Sequence, residues 1–347
     1  PGRRKESRPF VTDLAHDALG RPLRWRWASG DRADRTFDTD ARMTATEFAR
    51  YGYDAAGRMD SVSQDLWVQE GSGTLSTTTL AWQAGYDSRN RLVRFTRDGH
   101  DVSFGYDANG NRLTSQETVV RDSDIDGEYE PEDFRLATAR AMDIEASSNR
   151  LLGFTQTLTR VQAGRPDRST TASLRYTLDA NGALSSDGLR EFEYDAAGRL
   201  ARVRSFQKGE PVSVRYLHNA LGQRVFQGEP QPDRVAPDEA TWGSGFLRFL
   251  QRTFGWMFSP VSASTRVGTA YVFGDAPLPP WALLGEYDNG SSVGRGRTEY
   301  LWLPTEDGAA IPIGMVRNGR LFAIHTDHLG TPRVVTDDEA RPVWQWP

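Results

Sequence analysis

The sequence predicts an all-β protein, a long antiparallel meander of hairpins, and three observations carry that expectation. A Tyr-Asp-x-x-Gly segment, or a near copy of it, recurs along the chain. Between its copies lie dipeptides of the two-residue hairpin type. Thirty-three Gly, 18 Pro and 11% aromatic residues in 347 supply the turn formers and pleated-sheet residues that a meander needs. A prior of roughly 150 residues per domain allows two ordinary domains or one large repetitive one. The repeat favours the second.

The strong copies are Tyr53-Asp54-Ala55-Ala56-Gly57-Arg58, Tyr86-Asp87-Ser88-Arg89-Asn90-Arg91, Tyr106-Asp107-Ala108-Asn109-Gly110-Asn111 and Tyr194-Asp195-Ala196-Ala197-Gly198-Arg199. Weaker ones start at His16, Leu178, His218 and Thr326, the last running Thr326-Asp327-His328-Leu329-Gly330. The underlying period is about 20 residues, with insertions. Asp at the start of a type I turn accepts bonds from the backbone amides ahead of it. Gly three residues on takes the left-handed conformation that closes a bulged hairpin, and Asn90 is the next best residue for that place. Tyr ends the incoming strand, and the apolar residue past Arg or Asn begins the outgoing one. The second kind of turn falls at Asp98-Gly99, Asp187-Gly188, Lys208-Gly209 and Asn318-Gly319. Its flanks alternate apolar and polar residues, as at Val93 and Phe95 before and Val102 and Phe104 after. Turns therefore come about every 11 residues, with two strands per repeat.

Composition limits function. An apolar share of 37% suffices for a core and excludes wholesale disorder. Forty-two basic and 47 acidic residues leave a net charge of −5, with no global field to draw nucleic acid or an anionic membrane. Only Lys5 and Lys208 are lysine. The Arg bias suits bidentate bonding and stacking on aromatic rings, and Arg-rich codon usage would produce it equally. With no cysteine, disulfides, thiolate nucleophiles and Cys-ligated zinc are excluded. The chain starts Pro1-Gly2-Arg3-Arg4-Lys5 and stops in the strand-like Val343-Trp344-Gln345-Trp346-Pro347, which reads as a piece of a longer polypeptide.

Two segments interrupt the repeat, giving ribbon over 1–120, an acidic insert over 121–150, and ribbon over 151–227. A Pro-linker with an aromatic amphipathic stretch follows over 228–268, then ribbon over 269–347. In the first insert Asp122, Asp124, Asp126, Glu128 and Asp133 approach the spacing of a calcium loop, with Gly127 for the sharp turn. Asp133 stands where a bidentate Glu belongs, so a solvated acidic loop leading into a helix over 132–146 is the competing reading, and no cofactor is required. In the second insert Phe246, Leu250, Phe254 and Met257 form a helical stripe. It is too short and broken to span a bilayer, and reads as packing on the sheet, a surface for unfolded cargo, or interfacial membrane contact. His325, Asp327 and His328 look like part of the repeat signature, not a metal site. His16 and His218 fill the Tyr slot of weak repeats, and His100 follows a turn. No phosphate loop or His-x-x-x-His pair is present, and no catalytic constellation assembles.

These segments resemble the YD repeats of the Rhs (rearrangement hot spot) family of bacterial polymorphic toxins, which are also found in the C component of insecticidal toxin complexes and in teneurins. The stretch from Ile311 to Arg333, with His325-Thr326-Asp327-His328-Leu329-Gly330-Thr331-Pro332, is similar to the family's last repeats before its core. The resemblance implies a β-ribbon curling into part of a hollow shell around a C-terminal toxin, for secretion or delivery from a bacterial cell. The implied partners are the Rhs core and toxin of the same polypeptide, with a secretion apparatus. Many members cut the toxin free at an Asp-Pro-x-Gly-x-Leu-type sequence; no Asp-Pro dipeptide occurs in this chain, so that activity falls on no residue here. The alternative is a secreted or cell-surface YD-repeat protein whose exposed aromatic residues bind carbohydrate or protein.

Overall fold

The computed structural model describes residues 9–69, 75–97, 99–121, 134–207, 210–228, 231–232, 268–288 and 296–346. Among them are 28 strands, numbered β1 to β28 in chain order, and no helix. Every described strand pair is antiparallel. The chain divides into two units. One holds Pro1–Thr177, Gly274–Ala282 and Tyr300–Pro347, the other Leu178–Phe273 and Leu283–Glu299.

In the first unit β1 (Val11–His16), β2 (Pro22–Trp27) and β3 (Arg32–Asp34) form a small sheet in chain order. A second sheet of eleven strands also follows chain order. It comprises β4 (Thr36–Phe37), β5 (Met43–Ala45), β6 (Ala49–Tyr53), β7 (Met59–Gln69), β8 (Leu75–Tyr86), β9 (Leu92–Arg97), β10 (His100–Tyr106), β11 (Arg112–Arg121), β12 (Phe134–Ile144), β13 (Leu151–Gln162) and β14 (Arg168–Arg175). The meander β25 (Ala310–Arg317), β26 (Arg320–Thr326), β27 (Pro332–Thr336) and β28 (Pro342–Gln345) completes the unit. The second unit runs from β16 (Leu184–Ser186) through β17 (Arg190–Tyr194), β18 (Leu200–Gln207), β19 (Glu210–His218) and β20 (Arg224–Gly228) to β22 (Gly268–Phe273) and β23 (Leu283–Asp288), again a meander.

The helix expected over 132–146 is instead strand β12. Its Leu, Ala, Arg and Met residues are good helix formers, but a ladder on each side overrides that preference: residues 134–141 pair with β11 and residues 134–144 with β13. The acidic residues Asp122, Asp124, Asp126, Glu128 and Asp133, the aromatic stretch 242–258, Asp98 and Lys208-Gly209 lie outside the described residues.

Antiparallel register gives the eleven-stranded sheet two chemically different faces, because directly paired residues share a side. One face carries Phe95 paired with Val102, Val119 with Leu136, and Met142 with Phe154. Trp82 and Phe95 have ring centroids 5.5 Å apart on it. The other carries Thr118 paired with Ala137 and then Thr159, and Gln116 with Ala139 and then Thr157. Hydroxyl pairs Thr155–Ser173, Thr157–Thr171 and Thr159–Ser169, each 2.9 Å, continue it onto β14. The first face is aromatic and aliphatic with Arg and Glu between. The second is small and hydroxyl-rich.

Burial is concentrated at the two ends of the unit's sequence. Met43, Phe48, Ala49, Tyr51 and Val62 pack with Val334, and Trp25, Trp27 and Ala33 with Ile313 and Ala323. Between residues 63 and 281 no described apolar side chain is buried.

Candidate functional site

The repeated turn is a small polar machine built around one Asp and a left-handed residue three places on. Asp54 Oδ1 accepts the amides of Ala56 and Arg58, each at 2.9 Å, while Arg58 Nε donates to Oδ2 at 2.7 Å. The Arg58 guanidinium, with these amides, holds the Asp54 carboxyl below its ordinary range. Gly57, at φ 79°, donates its amide to the Asp54 carbonyl, and the register slips by one residue at Tyr53, which is the bulge such a turn requires. Arg58 then lies 4.8 Å over the ring of Tyr86 and donates to the Asp87 carbonyl at 3.1 Å and to Asn90 Oδ1 at 2.8 Å, joining one turn to the next. The Tyr86 hydroxyl donates to the Met59 carbonyl at 2.7 Å.

The same linkage repeats. Arg91, paired with Asp87, lies 4.7 Å over Tyr106, whose hydroxyl donates to the Leu92 carbonyl. Arg91 also donates to the Asp107 carbonyl at 2.9 Å, and Asp107 closes its turn on Asn111 with Gly110 at φ 92°. In the second unit Asp195 accepts the amides of Ala197 and Arg199, Gly198 sits at φ 74°, and the Tyr194 hydroxyl reaches the Leu184 carbonyl at 2.9 Å. Asp327 accepts the amides of Leu329 and Thr331, with Gly330 at φ 76°. A Lys could make neither the forked bond to Asp nor the flat stack on Tyr, which gives the Arg bias a structural use.

Two further copies escape the sequence pattern. Asp38 closes on Arg42 and Asp337 on Arg341 with the same bonds, but Ala41 and Ala340 take the left-handed place at φ 65° and 62°. The signal that finds them is Asp followed by Arg four residues on, without requiring Gly.

The second cluster is buried and joins sequence-distant parts of the first unit. His325 on β26 is 6% exposed and packs against Trp27, with ring centroids 4.5 Å apart and the planes tilted by 48°. Its Nδ1 meets Glu47 Oε1 at 2.7 Å; its Nε2 lies 3.2 Å from Thr336 Oγ1 and 3.5 Å from Asp31 Oδ2. Burial opposes charge on the imidazole, but bonds to Asp31 and Glu47 outweigh it and lift the pKa to about 9. Burial likewise raises Asp31, yet its bonds to His325 and Thr336 bring it below the ordinary value. Beside it, buried Arg35 donates to Thr326 Oγ1 at 2.7 Å, and His328 packs at a tilt against Tyr51, with ring centroids 4.9 Å apart.

Thr336, His325 and Glu47 follow the hydroxyl–imidazole–carboxylate order of a nucleophilic triad, but the chemistry does not. The Thr336 hydroxyl donates to Asp31 at 2.6 Å and is buried, and an imidazole that stays protonated at neutral pH cannot take its proton. The cluster is an ion knot that clamps β26 and β27 to the segment 31–47. His325 and His328 point to different partners, and among the described residues no group of three His, Cys, Asp or Glu could hold a metal. Sequence reasoning missed Asp31, Arg35, Glu47 and Tyr51, because nothing local marks them as partners of residues some 280 positions away.

No family model matches the chain. Toxin protein Tse5 of Pseudomonas aeruginosa is 30% identical over 285 residues, 75% of this chain. The chain spans only 19% of that relative's length. Among solved structures, the Tc holotoxin pore of Photorhabdus luminescens and a TcdB2–TccC3 complex match 96% of this chain and 17% of theirs. Both are 12% identical with a TM-score of 0.36, too loose an overlap to bear on shape. The repeated Tyr-Asp turn, the all-β meander it builds and the kinship with a bacterial toxin identify the chain as a member of the Rhs, or YD-repeat, family of toxin-associated proteins.

Proposed function

We propose that this chain is a non-catalytic wall segment of an Rhs shell that encloses a toxin carried on the same polypeptide, for delivery out of the bacterial cell. One observation carries the reading. From β8 to β14 the sheet has an aromatic and aliphatic face on which no apolar side chain is buried, backed by a face of hydroxyls and small side chains. A single layer of that kind lacks a core of its own, and its apolar side needs a covering partner. An enclosed polypeptide supplies one, while the hydroxyl face suits water. Among the described residues no helix is long and apolar enough to cross a membrane.

The test uses the complete gene product. Phe95→Asp with Phe154→Asp, on the apolar face, should expose the toxin segment to protease. Thr157→Asp, on the hydroxyl face, should leave it protected. Equal protection in the two variants would sink the reading.

A further inference from the structure

The three-stranded sheet β1–β3 carries a cleft of about 220 Å³ lined by Asp13, Arg24, Arg26, Arg32 and Asp34, with Trp25 and Ala33 beside them. Three features of its construction point to an anion. The register places Arg26 directly opposite Arg32, a like-charge cross-strand pair that is unfavourable unless a counter-charge sits between the two. Arg24 and Arg32 are exposed, and their guanidinium groups have no hydrogen bond or ion pair to any described residue. Third, the pairing of β1 with β2 slips between Thr12 and Ala15, and Asp13 there takes φ 56°, a conformation that is costly for a residue with a Cβ. That bulge brings the Asp13 carboxylate to Arg26 Nε at 3.2 Å. The bond fixes the Arg26 fork and leaves its two terminal nitrogens open.

We infer that this cleft binds a phosphoryl group, with Arg26 and Arg32 gripping it from adjacent strands and Arg24 adding a third cation. Guanidinium forks match the paired oxygens of phosphate, and a doubly charged oxyanion answers two facing cations better than a single carboxylate does. Asp13 acts as a positioning residue, and Asp34, paired with Arg24 in the register, keeps the cleft from being uniformly basic. The site is independent of the enclosing role.

The experiment titrates the whole chain with inorganic phosphate, and separately with glycerol 3-phosphate, at constant ionic strength, reading heat and melting temperature against chloride. Saturable binding and a rise in melting temperature specific to phosphate are expected. Arg32→Gln should weaken binding by about tenfold or more. It should also raise the melting temperature without phosphate, since it removes the like-charge pair; a merely structural arginine would lower it. Binding of the ion alone points to free phosphate, and binding of the ester at least as tightly to an esterified group. No saturation with either, or the same affinity in Arg32→Gln, overturns the site.

Discussion

Strands β8–β14 and the region where β25–β28 pack on residues 25–62 use one turn and one antiparallel pairing, yet they are held in opposite ways. In the packed region two layers enclose Trp27, Phe48 and Val334, each 2% exposed or less, and Trp27 Nε1 donates to the Ile313 carbonyl at 2.7 Å. Strand β28 is pinned as well: Gln345 acts as a surrogate strand, its side-chain amide bonding the Trp67 N–H and carbonyl at 3.0 and 2.6 Å. From β8 to β14 there is one layer, and its order comes from ladders, hydroxyl pairs and Arg–Tyr links between neighbouring turns. The same repeat therefore serves as a brick in both settings. What differs is whether another layer covers its apolar side.

The widest gap between the regions should appear on removing an aromatic side chain. Trp27→Ala should cost about 3–5 kcal/mol, the loss typical of a fully buried aromatic residue. Phe154→Ala, only partly buried on the open face, should cost about 1–2 kcal/mol, as part of its area is still in water and no second layer closes over it. Urea denaturation of the two variants checks this, and equal losses would erase the distinction between packed and single-layer parts.

The ion knot gives the packed region a pH dependence at and above neutrality. His325→Gln leaves Glu47 and Asp31 without their cation and should destabilise by about 3 kcal/mol at pH 7. The pKa of His325 is raised from 6.5 to about 9, so its contribution is complete below about pH 6.5 and falls away as pH rises through about 9. Asp31, whose pKa is lowered, contributes above its unfolded value, and that part is lost as pH falls toward the folded one. Wild-type stability should thus decline from pH 6.5 to 9, and the Gln variant should lose that slope. A slope unchanged in the variant would place the titrating group elsewhere.

Local features of this molecule were legible in its sequence, and long-range ones were not. Tyr86-Asp87 and Tyr106-Asp107 announce their turns because every bond in the turn lies within four residues. Asp38 and Asp337 hide theirs behind alanine. Strand β12 reads as a helix because its residues favour one, and only its two neighbours make it a strand. The contacts of His325 with Asp31 and Glu47, or of Val334 with Phe48, join positions nearly 300 apart through no pattern that either segment carries alone. In a repeat protein this is the expected division: the unit is written locally, the packing between units is not.

A smaller effect tests whether the turn itself is equivalent throughout. Gly110 and Gly198 sit at φ 92° and 74°, and a Cβ at either would meet nothing within 4 Å. Valine there should cost about 1–2 kcal/mol, all of it backbone strain. Similar losses at the two sites, read by thermal unfolding, would confirm that the turn works alike on β10–β11 and on β17–β18. A large difference would mean that something outside the turn supports one of them.

The smallest change should run the other way. Ala340 holds φ 62° without help from its side chain, so Ala340→Gly relieves about 1–2 kcal/mol of strain and gives back part of it to the looser unfolded chain. The net should be a gain of about 0.5–1 kcal/mol. Asn90, at φ 62° in the open sheet, fills the same place but accepts the Arg58 guanidinium at 2.8 Å. Asn90→Gly would relieve less strain and would cut that link between successive turns, so no gain is expected. Thermal unfolding of both variants decides the matter. If both glycines stabilise equally, the Arg58–Asn90 bond adds nothing, and the single-layer strands are held by their backbone ladders rather than by turns joined along the edge.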